Sequence, residues 1–176
     1  MFKAPNDPLL IFTFVVARVA TVLLIVAAAA ALAGIVFLAI DMAQGTDALS
    51  SEYPVADVEV LRMRMWILLP TAAIGFAFAA AFMHILTKII GSVSEGDPFA
   101  AINAQRLTKM GWLALAFQLI AIPVRMIEGE VDQMTGGGSG DFAISIGGFV
   151  FVLTLFVLAR VFTHGAAMRD DLEGTV

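Results

Sequence analysis

Val19–Ile40, VATVLLIVAAAAALAGIVFLAI, runs for 22 residues without a charged side chain. A helix needs about 20 predominantly apolar residues to cross the hydrocarbon core of a bilayer, and this stretch has that length on its own. Three further runs point the same way. Met65–Thr87 gives 23 residues without Lys, Arg, Asp or Glu, although His84 falls within it. Phe142–Ala159 gives 18 and stops at Arg160. Met110–Val124 gives 15 before Arg125, with Pro123 near its end and Ile127 extending it. The pattern predicts four spans, at about 10–40, 65–90, 110–128 and 142–163, and a tail over 164–176. A cleaved signal peptide is the competing reading of the first run. Its apolar core exceeds the usual ~7–15 residues and Arg18 follows a long, mixed N-terminal stretch, so a retained helix is expected.

Composition agrees. Of 176 residues, 60% are hydrophobic, 14% are charged and none is cysteine. The mean hydropathy is +0.94. Soluble domains carry about 45–50% apolar and about 25% charged residues, which excludes an ordinary water-soluble fold. The missing cysteine excludes disulfide-stapled and zinc-thiolate classes. A net charge of −5 argues against direct nucleic-acid binding, which needs a basic patch. The expected class is an all-α integral membrane protein, a four-helix bundle with a short amphipathic cytoplasmic helix between spans two and three. The lipid bilayer is its first partner.

Basic residues flanking membrane spans set orientation. Lys3, Arg18, Lys88, Arg106, Lys109, Arg160 and Arg169, seven of the ten, fall at the N-terminus, the middle loop and the C-terminal end. Nine of the fifteen acidic residues fall in the other two connections, among them Asp41, Asp47, Glu52, Glu128 and Asp141. Both termini are therefore expected in the cytoplasm. Trp66 and Trp112 suit interfacial anchors. Asp41–Arg64 carries the breakers Gly45 and Pro54, and Glu128–Asp141 contains the flexible run Gly136–Gly140.

Small residues let helices approach closely in lipid. Ala27/Ala31, Ala29/Ala33 and Ala30/Gly34 in span one, Ala73/Ala77/Ala81 and Gly75/Ala79 in span two, and Gly147-Gly148 in span four predict tight packing. Either an internal neighbour or a second copy of the chain could be the partner, so a homo-oligomer stays open.

No Asp or Glu lies within any span's apolar run, and the notable polar groups in the middle of the bundle are Gln118, Thr71, Ser145 and Thr154, too few for a proton relay or ion pathway. Arg18 and Arg160 can snorkel to an interface, and Arg125 can reach Glu128, Glu130 or Asp132. His84 and His164 could together ligate haem, but no other residue supports a cofactor or metal. No nucleophile–base pair is legible, so no catalytic residue is expected.

The richest stretch is Glu95–Trp112, EGDPFAAINAQRLTKMGW. Asp97 then Pro98 reads as an N-cap followed by the first helical residue. At about 100° per residue, Phe99, Ile102, Leu107 and Met110 share a face with Asn103 and Arg106, while Gln105, Thr108 and Lys109 point elsewhere. Polar side chains on an apolar face need partners. The C-terminal stretch stays helical in pattern, with Leu158, Val161, Gly165, Met168 and Leu172 on one stripe and Arg160, His164, Ala167 and Asp171 opposite. Asp170, Asp171 or Glu173 is expected to contact Arg106 or a protein partner. The candidate partner-binding or structural polar site is Asp97, Asn103, Arg106, Arg160, His164, Asp170, Asp171 and Glu173.

Gly96-Asp97-Pro98-Phe99, Asn103, Arg106-Leu107 and Gly111-Trp112 resemble the signature of the DUF2975 family of small bacterial membrane proteins. The end, from Ala159-Arg160-Val161-Phe162 through Gly165 to Leu172–Val176, is similar to that family's terminus. Gln105 and Thr108 stand where many members carry basic residues, which argues against anion binding. The resemblance names no reaction. It implies an inner-membrane protein that binds or restrains a cytoplasmic helix-turn-helix regulator of the Cro/CI type, since members are often encoded beside one. A small transporter, or a protein binding lipid or another hydrophobic ligand, is the alternative; a cavity reaching Gln118 would favour it.

Overall fold

The structure, a computed structural model, describes residues 7–44, 55–134 and 146–173. Among them four helices follow in chain order: α1 (Pro8–Gln44), α2 (Val55–Ser94), α3 (Ala101–Met134) and α4 (Ile146–Glu173). All four contain a stretch long and apolar enough to cross a membrane: Pro8–Met42, Arg62–Ser94, Ala101–Arg125 and Ile146–Arg169. The shortest, with 24 residues, reaches about 36 Å against a hydrocarbon core of about 30 Å. The chain has the architecture of a multi-pass helical membrane protein.

Local chemistry sets the helix ends. Asp7 caps α1, its Oδ1 accepting the Leu9 N–H at 2.9 Å while Pro8 takes the first helical position. α2 starts directly after Pro54, and Pro70 lies inside it. α3 continues through Pro123 and past Arg125 to Met134. Membrane helices tolerate an internal proline because neighbouring groups take over the freed backbone carbonyl. The short helix expected between spans two and three is not a separate element. Its residues from Ala101 onward are the first turns of α3.

By compactness the chain divides into two units. The first comprises Met1–Leu23, Phe78–Leu119 and Ser145–Val176, and the second comprises Leu24–Ala77 and Ile120–Ile144. In the second unit, Gly34 of α1 lies against Leu69 of α2, where an added Cβ would come within 3.2 Å of Leu69 Cδ1. Nearby, Asp41 pairs with Arg62 (Oδ2–Nη2, 3.3 Å), and the Trp66 indole N–H points to the Met42 sulfur at 3.3 Å. Arg62 and Trp66 are one turn apart on α2, so they meet the adjacent residues Asp41 and Met42 as two rungs joining α1 to α2. By sequence Asp41 opens the acidic connection Asp41–Arg64. The structure puts it on the last turn of α1 with its side chain buried.

In the first unit the core is Leu107, Met110, Leu155 and Ala159, with Phe82, Ile85, Leu86, Ile89 and Phe162 packed around them. The buried faces differ from the stripes that hydropathy suggests. On α4 the inward face is Val152, Leu155, Ala159 and Ala166, whereas Val161 and Met168 are 54% and 63% exposed. On α3 it is Asn103, Ala104, Leu107, Met110 and Gly111, while Ile102 is exposed. The cause is the solvent. In lipid, large apolar side chains gain as much outside as inside, and small or hydrogen-bonding residues take the close contacts.

Candidate functional site

The two stretches singled out in the sequence meet in the first unit. α2 closes with a Schellman motif: the Asp97 N–H donates to Ser92 O and the Gly96 N–H to Val93 O, both at 3.1 Å. This needs a left-handed residue at the penultimate position, and Gly96 supplies it with φ +88°. Asp97 is thus spent on ending α2 and does not cap α3. Asp97–Ala100 forms a turn closed by the Ala100 N–H donating to Asp97 O at 3.4 Å, and α3 starts at Ala101.

Asn103 locks this turn and is fully buried. Its Nδ2 donates to Ser92 Oγ at 2.7 Å and to Pro98 O at 3.0 Å. Its Oδ1 accepts from Arg106 Nη1 at 2.9 Å. Ser92 Oγ donates in turn to Ile89 O at 2.8 Å. Arg106 Nη1 also donates to Lys88 O at 2.9 Å, which places the guanidinium beside the negative end of the α2 dipole. One amide and one guanidinium therefore join the last two turns of α2, the connecting turn and the first turn of α3.

α4 completes the arrangement. The Phe99 ring packs against Phe162, with centroids 5.3 Å apart, and lies over Gly165 so closely that an added Cβ there would come within 2.7 Å of Phe99 Cδ1. Asp97 Oδ1 pairs with Arg169 Nη1. Directly after Met110 on α3, Gly111 makes room for Phe156, and Trp112 meets the same ring edge-on at 5.4 Å.

Of the eight candidates, Asp97, Asn103 and Arg106 are brought together, though not by the contact expected of Arg106. Its two Nη1 hydrogen bonds run to Lys88 O and Asn103. The carboxylate at the turn, Asp97, takes Arg169, a residue outside the candidate set. Arg160 and His164 lie exposed on α4, with His164 Nδ1 3.0 Å from Arg160 O. Asp171 is exposed and partnered. The side chains of Asp170 and Glu173 lie outside the described residues, as do Glu128, Glu130, Asp132 and Ser145. His84 is exposed on α2, and among the described residues no three His, Asp or Glu side chains gather as metal ligands. Sequence reasoning missed Phe162 and Arg169 as partners of the turn. Gly165 was a legible signal for the first, since a lone glycine in an apolar helix often marks a close approach.

Fold and site together define a polytopic helical membrane protein whose α2–α3 turn is fastened to the end of α4. A family model described as "Protein of unknown function (DUF2975)" matches residues 46–176, and the chain belongs to that family. No curated protein and no solved structure matches the chain.

Proposed function

We propose that this protein resides in the bacterial inner membrane with both termini in the cytoplasm, and that the face formed by residues 95–112 and 160–173 holds a cytoplasmic protein partner. The partner that the family resemblance favours is a small helix-turn-helix regulator of the Cro/CI type. The observation carrying this reading is the division of labour on that face. Asp97 is paired with Arg169, Phe99 with Gly165 and Asn103 with Arg106, which makes the turn a fixed platform. Gln105, Lys109, Arg160 and His164 stand exposed beside it. A rigid surface with an exposed polar rim suits docking, because little conformational freedom is lost on binding. The excess of basic residues at the termini and middle loop supports the orientation.

Binding at the membrane would lower the concentration of regulator free to reach DNA. A signal that favours one arrangement of the platform would shift that equilibrium by its differential affinity for the two arrangements. The test is co-purification, in detergent, with a helix-turn-helix regulator encoded next to this protein. Wild type is expected to retain the regulator. Lys109→Glu combined with Arg160→Glu, or deletion of 170–176, is expected to lose it while the melting temperature stays put. A well-folded preparation that never retains the regulator removes this reading.

A further inference from the structure

We propose a second site, independent of the platform: a binding pocket for an uncharged, membrane-dissolved molecule with a flat, ring-sized head bearing at least one carbonyl or hydroxyl group. A cavity of about 300 Å³ lies within the first unit between α2, α3 and α4. Phe78, Phe82, Phe117 and Phe151 form its walls, and Gln118 supplies its polar side chain. The Phe82 and Phe151 rings face each other, tilted, at 5.9 Å. This volume is at the lower end of ligand pockets and suits a ring system better than a large headgroup. Among the described residues no charged side chain lines the cavity, so an anionic or cationic ligand would find no counter-charge among them.

Gln118 indicates what the occupant must carry. It lies near the middle of the uncharged run Met110–Val124. Two other polar groups within the spans are satisfied by their own helices: Thr71 Oγ1 donates to Ile67 O and Thr154 Oγ1 to Val150 O, both at 2.8 Å. The Gln118 side chain makes no hydrogen bond to the described residues, and its amide instead occupies the space over Gly148. An added Cβ at Gly148 would fall 1.1 Å from Gln118 Nε2. The missing side chain at position 148 is thus what allows the amide to project into the cavity. An amide in hydrocarbon without a partner is costly. An acyl chain would fill the volume and leave that cost standing, whereas a ring bearing a carbonyl or hydroxyl would fill it and meet the amide.

The test uses benzophenone carrying a decyl chain, which combines an aromatic ring, a ketone and photoreactivity. Wild-type protein in nanodiscs is irradiated over a concentration series and the labelled peptides are mapped. Saturable labelling is expected at Met83 and at neighbouring residues of 78–83 and 113–118. Decylubiquinone is expected to compete, and undecylbenzene, which has no polar group, is not. Gln118→Leu is expected to weaken the saturable component about tenfold, the worth of one buried hydrogen bond. Ala79→Leu, which fills the lining, is a second variant should the first fail to fold. Non-saturable labelling spread over the lipid-facing residues overturns the proposal. So does equal competition by undecylbenzene, which would mean that a simple apolar chain occupies the cavity.

Discussion

Asn103 ties the α2–α3 junction together, because its amide serves three partners at once: Ser92, Pro98 and Arg106. Replacing it with alanine leaves Pro98 O, Ser92 Oγ and one Arg106 N–H to find new partners in a buried space. The expected loss is about 2–3 kcal/mol, read as a lower unfolding midpoint in mild detergent. Two glycines give a cleaner comparison. Neither Gly96 nor Gly147 has an atom within 4 Å of an added Cβ, yet Gly96 alone sits at positive φ. Gly96→Ala should cost about 1–2 kcal/mol through backbone strain alone. Gly147→Ala should be neutral or gain up to about 1 kcal/mol from helix propensity. The same unfolding measurement distinguishes them, and equal effects would contradict the left-handed cap.

At the scale of the helices, α4 is held to the turn by one ring and one ion pair. The Asp97–Arg169 pair is about half exposed on both sides and so contributes little, at most about 1 kcal/mol. The Phe99–Gly165 approach is the stronger constraint. Gly165→Leu must push the Phe99 ring off α4, and a spin-label pair at the exposed positions 95 and 168 should report a longer and broader distance distribution. Asp97→Ala should leave that distribution nearly unchanged. These contacts also mark where the sequence was legible and where it was not. That Asn103 and Arg106 need partners is legible from polar residues on an apolar face, whereas Asp97-Pro98 reads as a helix start and Asp97 instead helps close α2 after Gly96. Which partners Asn103 and Arg106 take is not legible. Lys88 O and Pro98 O are backbone atoms, and which carbonyl a guanidinium reaches depends on how tightly the turn closes. The inward face of α4 is not legible from hydropathy for a different reason. Hydropathy locates the face that avoids water, and in a bilayer that includes the side turned to lipid, so the apolar stripe carrying Val161 and Met168 lies exposed while Ala159 and Ala166 are buried. The Asp41–Arg62 pair was hidden because both residues flank apolar runs and read as ordinary loop charges.

For the molecule as a whole, the distribution of charge makes a prediction about sidedness. The chain has no native cysteine, so single-cysteine variants report position without background. Asp7→Cys and Lys109→Cys should react with a membrane-impermeant maleimide only after the inner membrane is opened. Asp47→Cys should react in intact spheroplasts. Reversed labelling would move the platform to the periplasm and remove the regulator from its reach. The four spans were legible because length and absence of charge are properties of a segment alone. Orientation rests on a statistical bias of loops and needs this measurement.

The fit of Phe99 over Gly165 has a mechanical corollary. Position 165 is flanked by His164 and Ala166, and a helix turned by one residue would present one of their side chains where the ring now lies. The last span therefore cannot spin about its own axis without lifting the aromatic ring away. Its azimuth is keyed like a shaft in a slot, and any twist imparted to it within the bilayer must arrive at the α2–α3 corner as displacement.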